Sequence, residues 1–146
     1  MIPVTDLKQW AYCARVVYYH RVLPGAAQPT WKMREALSAQ DMIERLEVRR
    51  GLREYSWEGG NRRFGVWLTN ESLGLSGKLD LLLEREGEGA VVDFKLTSGE
   101  MGDNHRMQLT GYAMLAEACC GCLLYTSSHS RSIACGGCLP SRPTST

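Results

Sequence analysis

Alternation of side-chain character along the chain is clearest over residues 77–95, GKLDLLLEREGEGAVVDFK. The stretch predicts two β-strands joined by a tight, polar, glycine-containing turn. Successive strand side chains point to opposite faces, so Lys78, Asp80 and Leu82 are expected on one face of the first strand and Gly77, Leu79, Leu81 and Leu83 on the other. In the second strand Val91, Asp93 and Lys95 alternate with Val92, Phe94 and Leu96. A turn centred on Glu86 and Gly87 sets Asp80 opposite Asp93 with Cβ atoms about 5 Å apart, whereas sliding the turn by a single position sets Asp80 opposite Lys95. Facing carboxylates repel, and a divalent cation between them removes that penalty. Asp93 also interrupts the apolar run AVVDFKL, where a charge is costly unless paired or metal-bound. The alternative is a pair of solvated aspartates on an ordinary hairpin.

Helical periodicity appears on both sides of this hairpin. Near the start, Leu7, Trp10, Ala11, Ala14 and Tyr18 recur at three- and four-residue intervals and predict one helix, with Thr5 as its cap. Cys13 lies off that stripe, and His20 is expected at the surface. A loop with Pro24, Gly25 and Pro29 leads to a second helix, capped by Thr30, buried through Met33, Leu37, Ile43 and Leu46, and stopped at Gly51. FGVWLT reads as a strand, and the turn residues 70–74 lead into the hairpin. Trp57 and Trp67 are candidates for stacking on bases, with core packing the stronger expectation for Trp67 among its apolar neighbours. After Lys95, Asp103 or Asn104 can cap a helix running to about Ala118, on which Gln108 and Tyr112 share a face and His105 belongs to the start.

Length and charge narrow this picture. The 146 residues suffice for one domain with one core. With 17 basic against 16 acidic residues there is no overall basic signature, so any nucleic-acid surface is local. Arg62 and Arg63, with Arg49 and Arg50, are candidates to line a DNA path, against the alternative of a solvated face. No apolar run reaches the roughly 18 residues that span a bilayer, which points to a cytoplasmic protein without a membrane partner. Six cysteines then argue for metal or redox use rather than disulfides.

Taken together, D-x12-D-x-K followed by Gln108 and Tyr112 resembles the PD-(D/E)XK nucleases of the RecB type. With DLKQWAYCARVVYY near the start, residues 4–118 are similar, more narrowly, to the CRISPR-associated exonuclease of the fourth Cas family. The resemblance implies an α/β, restriction-endonuclease-like core in which helices flank a mixed sheet. It implies Mg²⁺ or Mn²⁺ held by Asp80 and Asp93, with Lys95, Gln108 and Tyr112 completing the catalytic set. The helix histidine that binds metal in such nucleases corresponds here to Gln40, whose amide oxygen suits Mg²⁺ but is a poorer ligand than imidazole for Mn²⁺. Cys13, in its YC-x-R setting, corresponds to one thiolate of a 4Fe-4S cluster. The implied activity is exonucleolytic digestion of single-stranded DNA before its insertion into a CRISPR array, with the integrase complex as partner. The rival reading is a non-catalytic DNA-binding or adaptor module that keeps the nuclease fold.

The sequence changes character over residues 118–146, which contain no Asp, Glu or Lys and only two Arg. A nuclease domain over 1–118 with its C-terminal part incomplete is expected, followed by an atypical, disordered or non-native tail over 119–146. CLLYTSS resembles translated adapter sequence at the end of a truncated reading frame. The competing reading takes Cys135 and Cys138, in CGGCLP, as iron-sulfur or zinc ligands, with Cys119, Cys120 and Cys122 as weaker candidates.

Overall fold

The computed structural model describes residues 1–23, 25, 31, 34, 59–94, 101–121 and 123–124. Its elements are β1 (Ile2–Pro3), α1 (Val4–Tyr12), α2 (Ala14–Val22), β2 (Asn61–Asn70), β3 (Leu75–Arg85), β4 (Glu88–Val92), α3 (Asp103–Cys120) and β5 (Leu123–Leu124). The predicted second helix, Gln40, Lys95, Trp57, Cys122, Cys135 and Cys138 lie outside the described residues. So do Arg49 and Arg50.

The expected α/β architecture with a mixed sheet is present, and β3 is its axis. β2 runs antiparallel along one edge of β3 from Asn61↔Glu84 to Asn70↔Leu75. The other edge is shared. β1 pairs parallel with its beginning, Ile2↔Leu75 and Pro3↔Ser76, and β4 pairs antiparallel with its end, from Leu81↔Val92 to Arg85↔Glu88. Residues 77–80 therefore have no strand beside them on that edge among the described residues. β5 adds to the far side of β4 in parallel, Glu88↔Leu123 and Gly89↔Leu124.

The β3–β4 turn is centred on Glu86 and Gly87, at φ 43° and 83°. Positive φ at both central positions is the type I′ geometry, whose twist matches that of the flanking strands. The β2–β3 connection is closed instead by Asn70, whose Oδ1 accepts the Leu73 amide at 2.9 Å.

The expected alternation on β3 holds only in part. Val66, Leu68, Leu75, Leu79 and Leu82 share a core with Val4, Tyr112, Leu115 and Ala116, whereas Leu81 and Leu83 pack with Phe64, Ala90, Val92 and Phe94. Leu79 and Leu82 are an odd number of positions apart, so the alternation is reset between them, and on β2 the same reset falls between Phe64 and Val66. At that level stand Gly65, at φ +58°, and Asp80, which the register sets opposite each other but does not pair. A left-handed residue turns the chain out of the pleat, which is why glycine occupies it.

The first helix also departs from expectation. Cys13 is extended (φ −164°, ψ 111°) and splits the predicted single helix into α1 and α2. The split puts Tyr18 on a separate helix at 60% exposure, and Trp10, within α1 itself, is 63% exposed while Val4 is fully buried. Pro3, not Thr5, is the N-cap, and Thr5 lies within the first turn. Arg21 joins the two helices across the break, with its Nε 2.8 Å from Asp6 Oδ2. His20 is exposed, as expected.

α3 is capped by the backbone of Gly102, whose carbonyl accepts the amides of His105 and Arg106, rather than by Asp103 or Asn104. It extends through Cys120 and ends on left-handed Gly121, beyond the expected Ala118. Its buried positions, Gln108, Gly111, Tyr112, Leu115 and Ala116, follow the spacing of a single helical stripe.

Candidate metal and phosphodiester site

The site grows out of the place where β4 leaves β3. The ladder ends at Leu81↔Val92, so Asp80 and Asp93 are the next facing positions, as the turn centred on Glu86 and Gly87 predicts. Here the chain departs from regular pairing because the Phe94 amide donates to Asp80 Oδ2 at 2.9 Å. The carboxylate thereby pins the diverging strand by its backbone.

Asp93 is fixed from the helix side. Gln108 Nε2 donates to Asp93 Oδ1 and to the Tyr112 hydroxyl, each at 3.3 Å. The four-residue spacing on α3 stacks these side chains. Gln108 holds the first position of the buried stripe, and at 4% exposure it is the buried polar residue of the described core. Its Oε1 has no hydrogen-bond partner.

Tyr112 lies against β3. A Cβ at Gly77 would come 2.7 Å from Tyr112 Cε1, so the missing side chain at position 77 makes room for the ring. Burial pushes the Tyr112 phenol above its ordinary 10.0; the hydrogen bond from Gln108 pulls it down, and the charges of Asp93 and Asp80 push it up again. Tyr112 is therefore a neutral hydroxyl at every physiological pH. A raised folded value means that the folded state binds the proton more tightly than the unfolded chain. The associated stability is complete below pH 10 and is lost as pH rises through the raised value. We expect Tyr112→Phe to flatten this alkaline decline in melting temperature, read by circular dichroism between pH 9 and 12.

Asp80 and Asp93 offer hard, anionic oxygens, and the buried, unsatisfied Gln108 Oε1 adds a neutral one beside them. That donor set fits Mg²⁺ or Mn²⁺. Three thiols belong to the described residues. Cys13 is half-buried at the helix junction, Cys119 is exposed with its Sγ 3.4 Å from the Thr69 carbonyl, and Cys120 lies at the core edge. Among the described residues no three His, Cys, Asp or Glu side chains are grouped to hold a metal ion, and the other candidate cluster ligands, Cys122, Cys135 and Cys138, lie outside those residues.

The other candidates lie elsewhere. Arg63 reaches Glu84 at 3.3 Å, while Arg62, next to it on β2, points to the opposite face, so the two do not line one path. Trp67 is 71% exposed rather than in the core. Its neighbours Val66 and Leu68 take the inward positions, which leaves Trp67 to solvent. Gly65 and Gly77 were not singled out by sequence reasoning as positioning residues, although glycine inside a strand pattern marks close backbone approach. No helix among the described residues is long and apolar enough to cross a membrane.

Known proteins are similar to this chain in sequence. The family model of the PD-(D/E)XK nuclease superfamily matches residues 5–122. Among curated proteins, "CRISPR-associated exonuclease Cas4" of Francisella tularensis subsp. novicida is 29% identical over 117 residues, covering 80% of this chain and 59% of that protein. The protein of the same name from Aeropyrum pernix is 32% identical over 93 residues, covering 63% of this chain and 45% of that protein. The chain thus spans about half the length of these curated relatives. Since the family match runs through the whole hairpin and the whole of α3, the chain belongs to the PD-(D/E)XK nuclease superfamily.

Proposed function

We propose that this chain carries the catalytic site of a metal-dependent exonuclease acting on single-stranded DNA, in the processing of DNA before its insertion into a CRISPR array. The observation that supports it best is the placement of Asp80 and Asp93 at the mouth of the β3–β4 hairpin, with Gln108 donating both to Asp93 and to the Tyr112 hydroxyl. Asp80 and Asp93 would hold Mg²⁺ or Mn²⁺. A divalent ion bound there supplies charge neutralisation at the phosphate and a more acidic water.

The chain's own groups do the positioning. The Phe94 amide keeps one Asp80 oxygen directed at the hairpin mouth, and Gln108 restrains Asp93. Tyr112, neutral at working pH, presents a hydroxyl rather than a second negative charge to an anionic substrate. Lys95, two positions after Asp93 in D-x-K, would orient the attacking water or stabilise the charge developing on the phosphate. The partner would be the CRISPR integrase complex; the names of the similar proteins support the CRISPR association.

Release of nucleotides from an end-labelled single strand, dependent on added Mg²⁺ or Mn²⁺ and stopped by a chelator, tests the proposal. Binding of the strand without cleavage at any metal concentration would instead support a non-catalytic DNA-binding module. Lys95→Ala is expected to lower the cleavage rate by roughly 10²-fold while leaving metal affinity unchanged in a calorimetric titration. Loss of metal binding in that variant would count against the role given to the lysine.

A further inference from the structure

We infer that Trp67 and Lys78 form a strand-binding platform on β2 and β3, on which a base stacks over the indole while the lysine holds a neighbouring phosphate. The inference rests on the nuclease reading for the identity of the ligand, but its observations are separate. Trp67 and Lys78 are partners in the β2–β3 register, and both are exposed. Val66, Leu68 and Leu79 point into the core beneath α3, so this pair stands on the opposite face of the sheet, at exposed positions beside the smaller cluster of Leu81 and Leu83.

A tryptophan in the middle of a long strand, flanked by core residues on both sides yet 71% exposed, covers no core and contributes little to folding. Its flat indole on a sheet face, with a cation beside it, is instead the arrangement by which proteins bind single strands without reading sequence. The lysine occupies the space that a side chain at position 65 would take. Gly65, opposite Asp80, presents no side chain. A Cβ there would lie 3.2 Å from Lys78 Cε and 3.7 Å from Nζ, so the lysine leans across the strand pair toward the level of Asp80. Trp67 and Lys78 are two positions along their strands from Gly65 and Asp80, about 7 Å by strand rise. That is about two stacked nucleotide steps.

The proposal commits to a single-stranded nucleic acid as occupant because a phosphodiester chain meets both groups at once: bases for the indole and phosphates for the ammonium. Placing Asp93→Ala in every protein removes cleavage from the measurement, and binding of a fluorescein-labelled oligodeoxythymidylate is read by anisotropy. Trp67→Ala is expected to raise Kd roughly five- to a hundred-fold, and Trp67→Phe to restore most of the affinity. Lys78→Ala is expected to weaken binding and to reduce the dependence of log K on log salt by roughly 0.7.

Equal affinity of the Trp67→Ala protein and its parent, with both folded by circular dichroism, overturns the platform. So does equal loss in Trp67→Ala and Trp67→Phe, which would mark a packing role. The two readings fail separately. If the chain with Asp93 intact cleaves but Trp67→Ala binds normally, only the platform falls. If it never cleaves yet Trp67→Ala loses binding, the platform stands and the nuclease reading falls.

Discussion

Asp93→Ala is expected to abolish metal-dependent cleavage, lowering the rate by at least about 10³-fold, while the protein stays folded. Losing one of two anionic ligands forfeits several kcal/mol of stabilisation at the reacting phosphate. The folded state loses little. The Gln108 amide reaches Asp93 at a long 3.3 Å, and Gln108 keeps its contact with Tyr112. Removing one of two facing carboxylates also relieves repulsion in the metal-free protein. Asp80 differs, because its Oδ2 is the acceptor for the Phe94 amide. Asp80→Ala leaves that part-buried donor without its partner, at a cost of about 1–3 kcal/mol. Asp80→Asn retains an acceptor oxygen and is expected to melt close to the parent while losing metal affinity. Thermal melting and Mn²⁺ titration on the three variants separate these effects. Parental turnover in Asp93→Ala would remove the pair from the site.

Gly77→Ala is expected to have the largest effect of any single-methyl change. The added Cβ would stand 2.7 Å from Tyr112 Cε1, 3.3 Å from its Cδ1 and 3.4 Å from Val4 Cβ. Neither neighbour can step aside: Tyr112 is 3% exposed and Val4 is fully buried. Overpacking of this kind costs about 1–3 kcal/mol, or a fall in Tm of several degrees. The damage also reaches the site. A displaced Tyr112 moves the partner of Gln108, and Gln108 restrains Asp93, so cleavage should fall even below the melting range. A double-mutant cycle checks the cause: in a Tyr112→Leu background the ring is gone, and Gly77→Ala should cost clearly less than it does alone. Additive losses would show that the methyl group collides with something else.

These expectations divide between what residue order carries and what packing decides. The β3–β4 hairpin was legible because a polar, glycine-containing turn separates two apolar runs, and of the two registers the sequence allowed, the structure takes the one with its turn at Glu86 and Gly87. In that register the next positions beyond the ladder are Asp80 and Asp93. Gln108 and Tyr112 were legible as a pair because helical geometry alone stacks residues four apart. Each of these is a local relation, set by backbone dihedrals within a short stretch of chain.

What only the tertiary structure decided involves elements distant in sequence. The break at Cys13 has no glycine or proline to announce it, and Trp10 on α1 and Tyr18 on α2 are both exposed although their spacing alone suits one buried stripe. The reset of alternation at Gly65 and Asp80 is shared by two strands and is invisible in either one read as a regular ladder. Trp67 was expected inside because its neighbours are apolar, yet on a sheet with α3 packed against one face, Val66 and Leu68 fill that face and leave Trp67 the other. Local periodicity determines which side chains share a face. Which face becomes the core depends on what packs against it, because burial of apolar area is a property of the assembled layers and of no single strand.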